Sequence, residues 1–237
     1  MFRSACVALF TVCLAALCLA APLAAQTPEA RKDASHSVLQ AEGVPILLSL
    51  PLIADETSSP RRRDEEVIQR LIALAIVAVK GETNDHGMAL GLVQQFNATG
   101  YFTPQEQAFM DNTRPVEQDL INMSWRYEGV HVLLWALGIY PDIGRPDAIT
   151  DVPLLAATLR DLGPDGLRAR AKLRPQSQLL DATDLMYRYH WATVQAGLDN
   201  QPMPSGLDNG VVYERHYALN WLIGYMGQAW DDISTDT

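Results

Sequence analysis

The sequence predicts an all-α protein, a single irregular or orthogonal bundle of about seven helices with an extended N-terminal strap. Three observations carry that expectation. From Asp64 onward apolar residues recur at three- and four-residue steps, helix-capping words mark several starts, and neither an internal repeat nor a long linker divides the chain after its first segment.

Residues 1–25 hold one Arg, an apolar stretch through Val7-Ala8-Leu9-Phe10 and Leu14-Ala15-Ala16-Leu17, and the small-residue run Ala20-Ala21-Pro22-Leu23-Ala24-Ala25. That order is the composition of a secretory signal peptide, with cleavage expected after Ala25. The rival reading is an uncleaved anchor, since the apolar run reaches roughly the 20 residues needed to span a bilayer. With cleavage, no stable membrane insertion is expected. Cys6, Cys13 and Cys18 all lie inside this segment, so disulfide scaffolds, cysteine-zinc sites and thiol nucleophiles are excluded from the mature chain. The 212 remaining residues suffice for a core without a disulfide.

Lys and Arg number 18 against 28 Asp and Glu; removal of Arg3 with the signal leaves 17 basic groups and a net charge of −11. Such a chain repels nucleic acid and anionic lipid. The run Arg61-Arg62-Arg63 does not alter this, because Asp64, Glu65 and Glu66 follow at once.

Residues 26–42 begin with the polar, aperiodic stretch Gln26 to His36 and are expected to be a flexible tether to a domain over 43–237. In Gly43 to Ile53, Pro45 and Pro51 favour an extended path that straps across the bundle and buries alternate side chains. A helix is predicted over about 64–82, capped by Asp64, with Val67, Leu71, Leu74, Ala75 and Ala78 on its inner side. A shorter one covers 86–96. Thr103-Pro104-Gln105-Glu106 reads as a capping box opening a helix over 104–111. The longest periodic stretch, 115–137, ends at the C-cap glycine Gly138. Asp151 and Pro153 start a helix to about 162, Ser177 one to about 197, and Val211 one to Gly224. The tail from Trp230 is not periodic.

Four stretches stand out as words: Trp125-Arg126-Tyr127-Glu128 running into Leu134-Trp135-Ala136-Leu137-Gly138, the run Asp184 to Trp191, the run Tyr213 to Leu222, and Trp230 to Thr237. In that order and spacing the chain resembles a bacterial family catalogued as domain of unknown function 4272, from about Gly43 to the C-terminus. The resemblance implies no particular chemistry.

Glu128 and His131 stand three apart on one helix face, which is half of the Glu-x-x-His pattern of dinuclear helical bundles. No second copy exists, so no metal and no cofactor are expected. Arg126, Arg188 and Arg215 sit amid Tyr and Trp with acids nearby. The leading expectation is therefore a buried Arg–carboxylate–aromatic lattice of Trp125, Arg126, Asp184, Arg188, Arg215, Asn220 and Trp221 tying three helices together. Asp231 and Asp232 are expected to join it from the tail, where Trp230 docks and the aspartates cap neighbouring helices. Asp231, Asp232 and Asp236 do not make a calcium loop, because the chain ends before the twelfth-position Glu.

The same residues admit a functional reading. If Glu128, His131, His190, Glu214 and His216 converge on a cleft, a carboxylate and an imidazole could share acid and base work. A nucleophile elbow, a phosphate loop, a dinucleotide fingerprint and a zinc-protease helix are all missing from the sequence. Two functions stay open: an exported periplasmic or secreted protein that binds an envelope protein or cell-wall component without catalysis, and a hydrolytic enzyme using the Glu/His cluster with or without a metal.

Overall fold

A computed structural model describes residues 26–237, so the expected signal peptide and its three cysteines lie outside the described residues. Every regular element described is helical, and the fold is all-α. The first element corrects the expected tether. Helix α1, Pro28–Glu42, starts on Thr27, whose hydroxyl accepts from the Ala30 N–H, and ends on Gly43 at φ 71°. Its buried stripe is Arg31, Ser35 and Leu39, at four-residue steps. Only one of the three is apolar, which is why hydrophobic periodicity does not reveal it. The helix holds through polar contacts: Arg31 Nε donates to Asp181 at 2.8 Å, and Lys32 Nζ donates to the Leu48 and Leu50 carbonyls.

Those last bonds tie α1 to the strap. Residues 44–63 run without helix and bury Val44, Leu50 and Ser59, whereas Leu48 is 75% exposed, so the expected strict alternation does not hold. The strap is fixed at points: Ser59 donates to the Ile223 carbonyl, Arg61 to those of Leu173 and Arg174, and Arg62 to that of Trp221.

Helix α2, Asp64–Thr83, is the central rod. Its cap position falls on Arg63, without a side-chain bond, and Asp64 instead joins Glu65 and Glu66 in the first turn, where negative charge meets the positive helix end. It is buried almost all round, as a helix surrounded by others must be. Helix α3, His86–Gln95, is capped by Asp85, and α4, Pro104–Asp111, has the expected capping box between Thr103 and Glu106. The stretch 115–137 is two helices, α5 (Glu117–Ser124) and α6 (Arg126–Ala136), because the hydrogen-bond ladder slips at Trp125: the Glu128 N–H returns to the Trp125 carbonyl, a three-residue step.

Helix α7, Val152–Arg170, is interrupted at Gly163 (φ 58°, ψ −177°) before Pro164, so the expected end near 162 is a break followed by a second helical half. Helices α8 (Gln176–Leu198) and α9 (Asn209–Leu222, capped by Asp208) complete the set. Neighbours form a series in which α1 packs on α8, α8 on α9, α9 on α6 and α6 on α2, with α3, α4, α5 and α7 against α2. No helix among the described residues is long and apolar enough to cross a membrane.

Candidate functional site

The α6–α9 seam carries two ion pairs of opposite sense. Arg126 on α6 donates to Glu214 on α9 at 2.8 Å, and Arg215 on α9 donates through Nε to Glu128 on α6 at 2.9 Å. The Arg126 guanidinium also lies 5.3 Å from the Tyr217 ring centroid. Burial works against the charge of Arg126, but Glu214 more than compensates and raises its pKa; burial in turn raises that of Glu214, against the pull of Arg126.

Glu128 belongs to a closed ring of hydrogen bonds. One carboxylate oxygen accepts from Arg215 and the other from the Thr150 N–H at 2.6 Å. The Thr150 hydroxyl lies 3.0 Å from His131 Nδ1, and His131 Nε2 lies 2.9 Å from the Ile143 carbonyl, which also accepts from Arg215 Nη1 at 2.9 Å. A carbonyl accepts only, so Nε2 carries the proton and Nδ1 accepts from Thr150. Burial, then the Arg215 charge, lowers the His131 pKa, which keeps this neutral tautomer in place. Glu128 and His131 are therefore joined through Thr150 and Arg215, and neither is turned toward a shared metal position.

His190 and His216 form a separate pair where α8 meets α9. Their Nδ1 atoms are 2.9 Å apart, so one donates and the other accepts. Burial lowers the His190 pKa to about 4; burial and then His190 lower that of His216 to about 3. Tyr213 stands edge-on to His190 and Tyr187 lies 5.7 Å from His216. The five candidates thus split into Glu128, His131 and Glu214 at one seam and the two histidines at another, and do not converge on a single cleft.

The other expected lattice members divide likewise. Trp125 packs on Gly210, where an added Cβ would sit 2.7 Å from the indole, so a larger residue there would push the ring aside. Asp184 and Arg188 make a fully buried two-bond pair, but within α8, so the three-helix lattice is a two-helix seam plus one intrahelical pair. Asn220 donates to the Ser234 carbonyl, and Arg62 stacks 4.5 Å from the Trp221 ring centroid. Asp231 accepts from the Gln105 N–H at the start of α4, whereas Asp232 is exposed.

Sequence reasoning missed the Arg70–Glu106 pair and its place beneath Trp230, whose ring centroid lies 5.1 Å from the guanidinium. Its one signal was Glu106 itself, already assigned to the capping box and doing both jobs through one oxygen. Buried Lys80 was missed too; it donates to the carbonyls of Phe109, Met110 and Asn112 and closes the end of α4.

His216 faces a cleft of about 530 Å³ between the strap and the α8–α9 pair, walled also by Leu50, Tyr187, Asn220, Tyr225 and Asp236. Aromatic rings, an amide and a carboxylate share this wall. A family model described as a domain of unknown function, DUF4272, matches residues 31–233, which is most of the chain. The chain belongs to the DUF4272 family. The match takes in nearly all of α1, the strap, both seams and Trp230, so these features lie within the DUF4272 region. No curated protein and no solved structure matches the chain significantly.

Proposed function

We propose that this protein is an exported binding protein of the cell envelope that works without catalysis, taking a cell-wall component or an envelope protein in the cleft between strap and α9. One observation carries the reading: the groups best suited to chemistry are consumed in hydrogen bonds internal to the fold. Both oxygens of Glu128, both ring nitrogens of His131 and both oxygens of Asp184 are engaged internally. The cleft, by contrast, offers two tyrosine rings for an apolar face and, for hydroxyl or amide groups, Asp236 and the oxygen of Asn220, whose nitrogen is held by the Ser234 carbonyl; this is the mixed chemistry of a recognition site. The strongly acidic balance argues against nucleic acid as the ligand.

The hydrolytic alternative keeps one supporting observation, the neutral His190–His216 pair with His216 on the cleft wall. A thermal-shift screen of the protein against cell-wall fragments separates the two, since a ligand that prefers the native form raises the midpoint. Binding without turnover, lost in Tyr187→Ala and Asn220→Ala, supports the proposal. Turnover abolished by His216→Ala with an unchanged melting temperature overturns it.

A further inference from the structure

A second site, sharing no residue with the cleft, lies where the end of α2 meets the α5–α6 junction. Its first compartment, about 310 Å³, is walled by Glu82, Trp125, Tyr127, Glu128 and Thr150, and no Lys, Arg or His lines it. The Tyr127 hydroxyl donates to Glu82 at 2.7 Å and fixes that carboxylate, whose other oxygen has no bond among the described residues. Tyr127 also walls a second compartment of about 530 Å³, lined mainly by apolar residues of α2, α3 and α7 such as Ile76, Leu92 and Leu159, with Gln95 and the exposed Arg160 also among its lining residues. One stripe of α7 roofs both: Val152 faces the first, and Leu155, Ala156 and Leu159 face the second.

We propose that this two-part site binds an organic cation, a protonated amine or quaternary ammonium, that carries an apolar chain. The head would lie against Glu82 between the Trp125 and Tyr127 rings, where a carboxylate and aromatic faces both attract positive charge. The chain would fill the apolar compartment. A divalent metal fits poorly, because Glu128 already spends both oxygens on Thr150 and Arg215, and hard cations require several oxygen ligands. In the first compartment an anionic head meets two carboxylates and no cation, and Arg160 lies only on the wall of the second. The inference stands whether or not the strap cleft is occupied.

Isothermal titration of the full chain with decyltrimethylammonium, below its micelle concentration, tests the site. Saturable one-site binding is expected, with affinity at least about tenfold weaker for tetramethylammonium, which lacks the chain, and for decyl sulfate, which reverses the charge. Glu82→Gln, which keeps an oxygen for Tyr127, should weaken the cation by about fivefold or more without changing the melting temperature. Ala156→Trp, at an exposed position on the roof, should fill the apolar compartment and abolish binding while the chain stays folded. Equal binding of decyl sulfate and decyltrimethylammonium, or wild-type affinity in both variants, overturns the proposal.

Discussion

At the Glu128–Arg215 pair two charges are withdrawn from water, and the cost is offset only because every neighbouring polar atom of the ring is also satisfied. Removing one partner strands the other. Glu128→Gln and Arg215→Met are therefore each expected to cost about 3–5 kcal/mol in urea denaturation, whereas the double variant should cost clearly less than their sum. Additive losses would mean that the two side chains are not coupled. His190 and His216 make a prediction about pH. Both are neutral in the folded chain at neutral pH, with pKa values held at about 4 and about 3, while an unfolded histidine titrates near 6.5. The unfolded chain thus binds more protons throughout that window, so stability is lost as pH falls from about 6.5 toward 4. Glu214, with its raised pKa, acts in the opposite sense just above the ordinary carboxylate range. Melting temperatures of wild type and His216→Gln across pH 4–7 isolate the histidine contribution: the variant should lose less on acidification, and parallel curves would refute the assignment.

Helices approach one another only where small residues allow, and Gly81 is the tightest such place. A Cβ there would lie 2.6 Å from the Ser124 backbone nitrogen and 2.8 Å from the Leu120 carbonyl oxygen, neither of which can swing away. Gly81→Ala should force α2 and α5 apart and cost about 1–3 kcal/mol or more, although alanine favours helix in isolation. A guanidinium denaturation midpoint equal to wild type would show that the seam can yield. Elements built on local rules were legible in the sequence. The α4 capping box and the Gly138 stop depend on residues a few positions apart, and the apolar steps of α2 mark its inner side directly. Legibility failed where a distant partner decides the outcome. Helix α1 hides a largely polar stripe whose Arg31 finds its carboxylate partner, Asp181, far along the chain. Trp125, where the ladder slips, lies against Gly210 far along the chain, and the separation of the two histidines from Glu128 depends on which face of α9 meets α8 and which meets α6.

Over the whole molecule, Trp230 joins helices distant in sequence. It is buried against Gly129 of α6, stands edge-on to Tyr217 and Trp221 of α9, and faces Arg70 of α2, which is paired with Glu106 of α4; the Tyr217 hydroxyl donates to its carbonyl. Next to it Asp231 holds the start of α4. These contacts close long loops of the described chain, so they are entropically expensive to form and depend on the burial of one large side chain. Trp230→Ala is expected to lower unfolding free energy by about 3–5 kcal/mol in a single cooperative transition. Because α4 receives both Asp231 and the Arg70–Glu106 contact beneath the indole, amide hydrogens over 104–111 should lose protection before those of α8, whose neighbours α1 and α9 do not include Trp230. Uniform loss across both helices would show that the tail stabilises the bundle as a whole and does not hold α4 in particular.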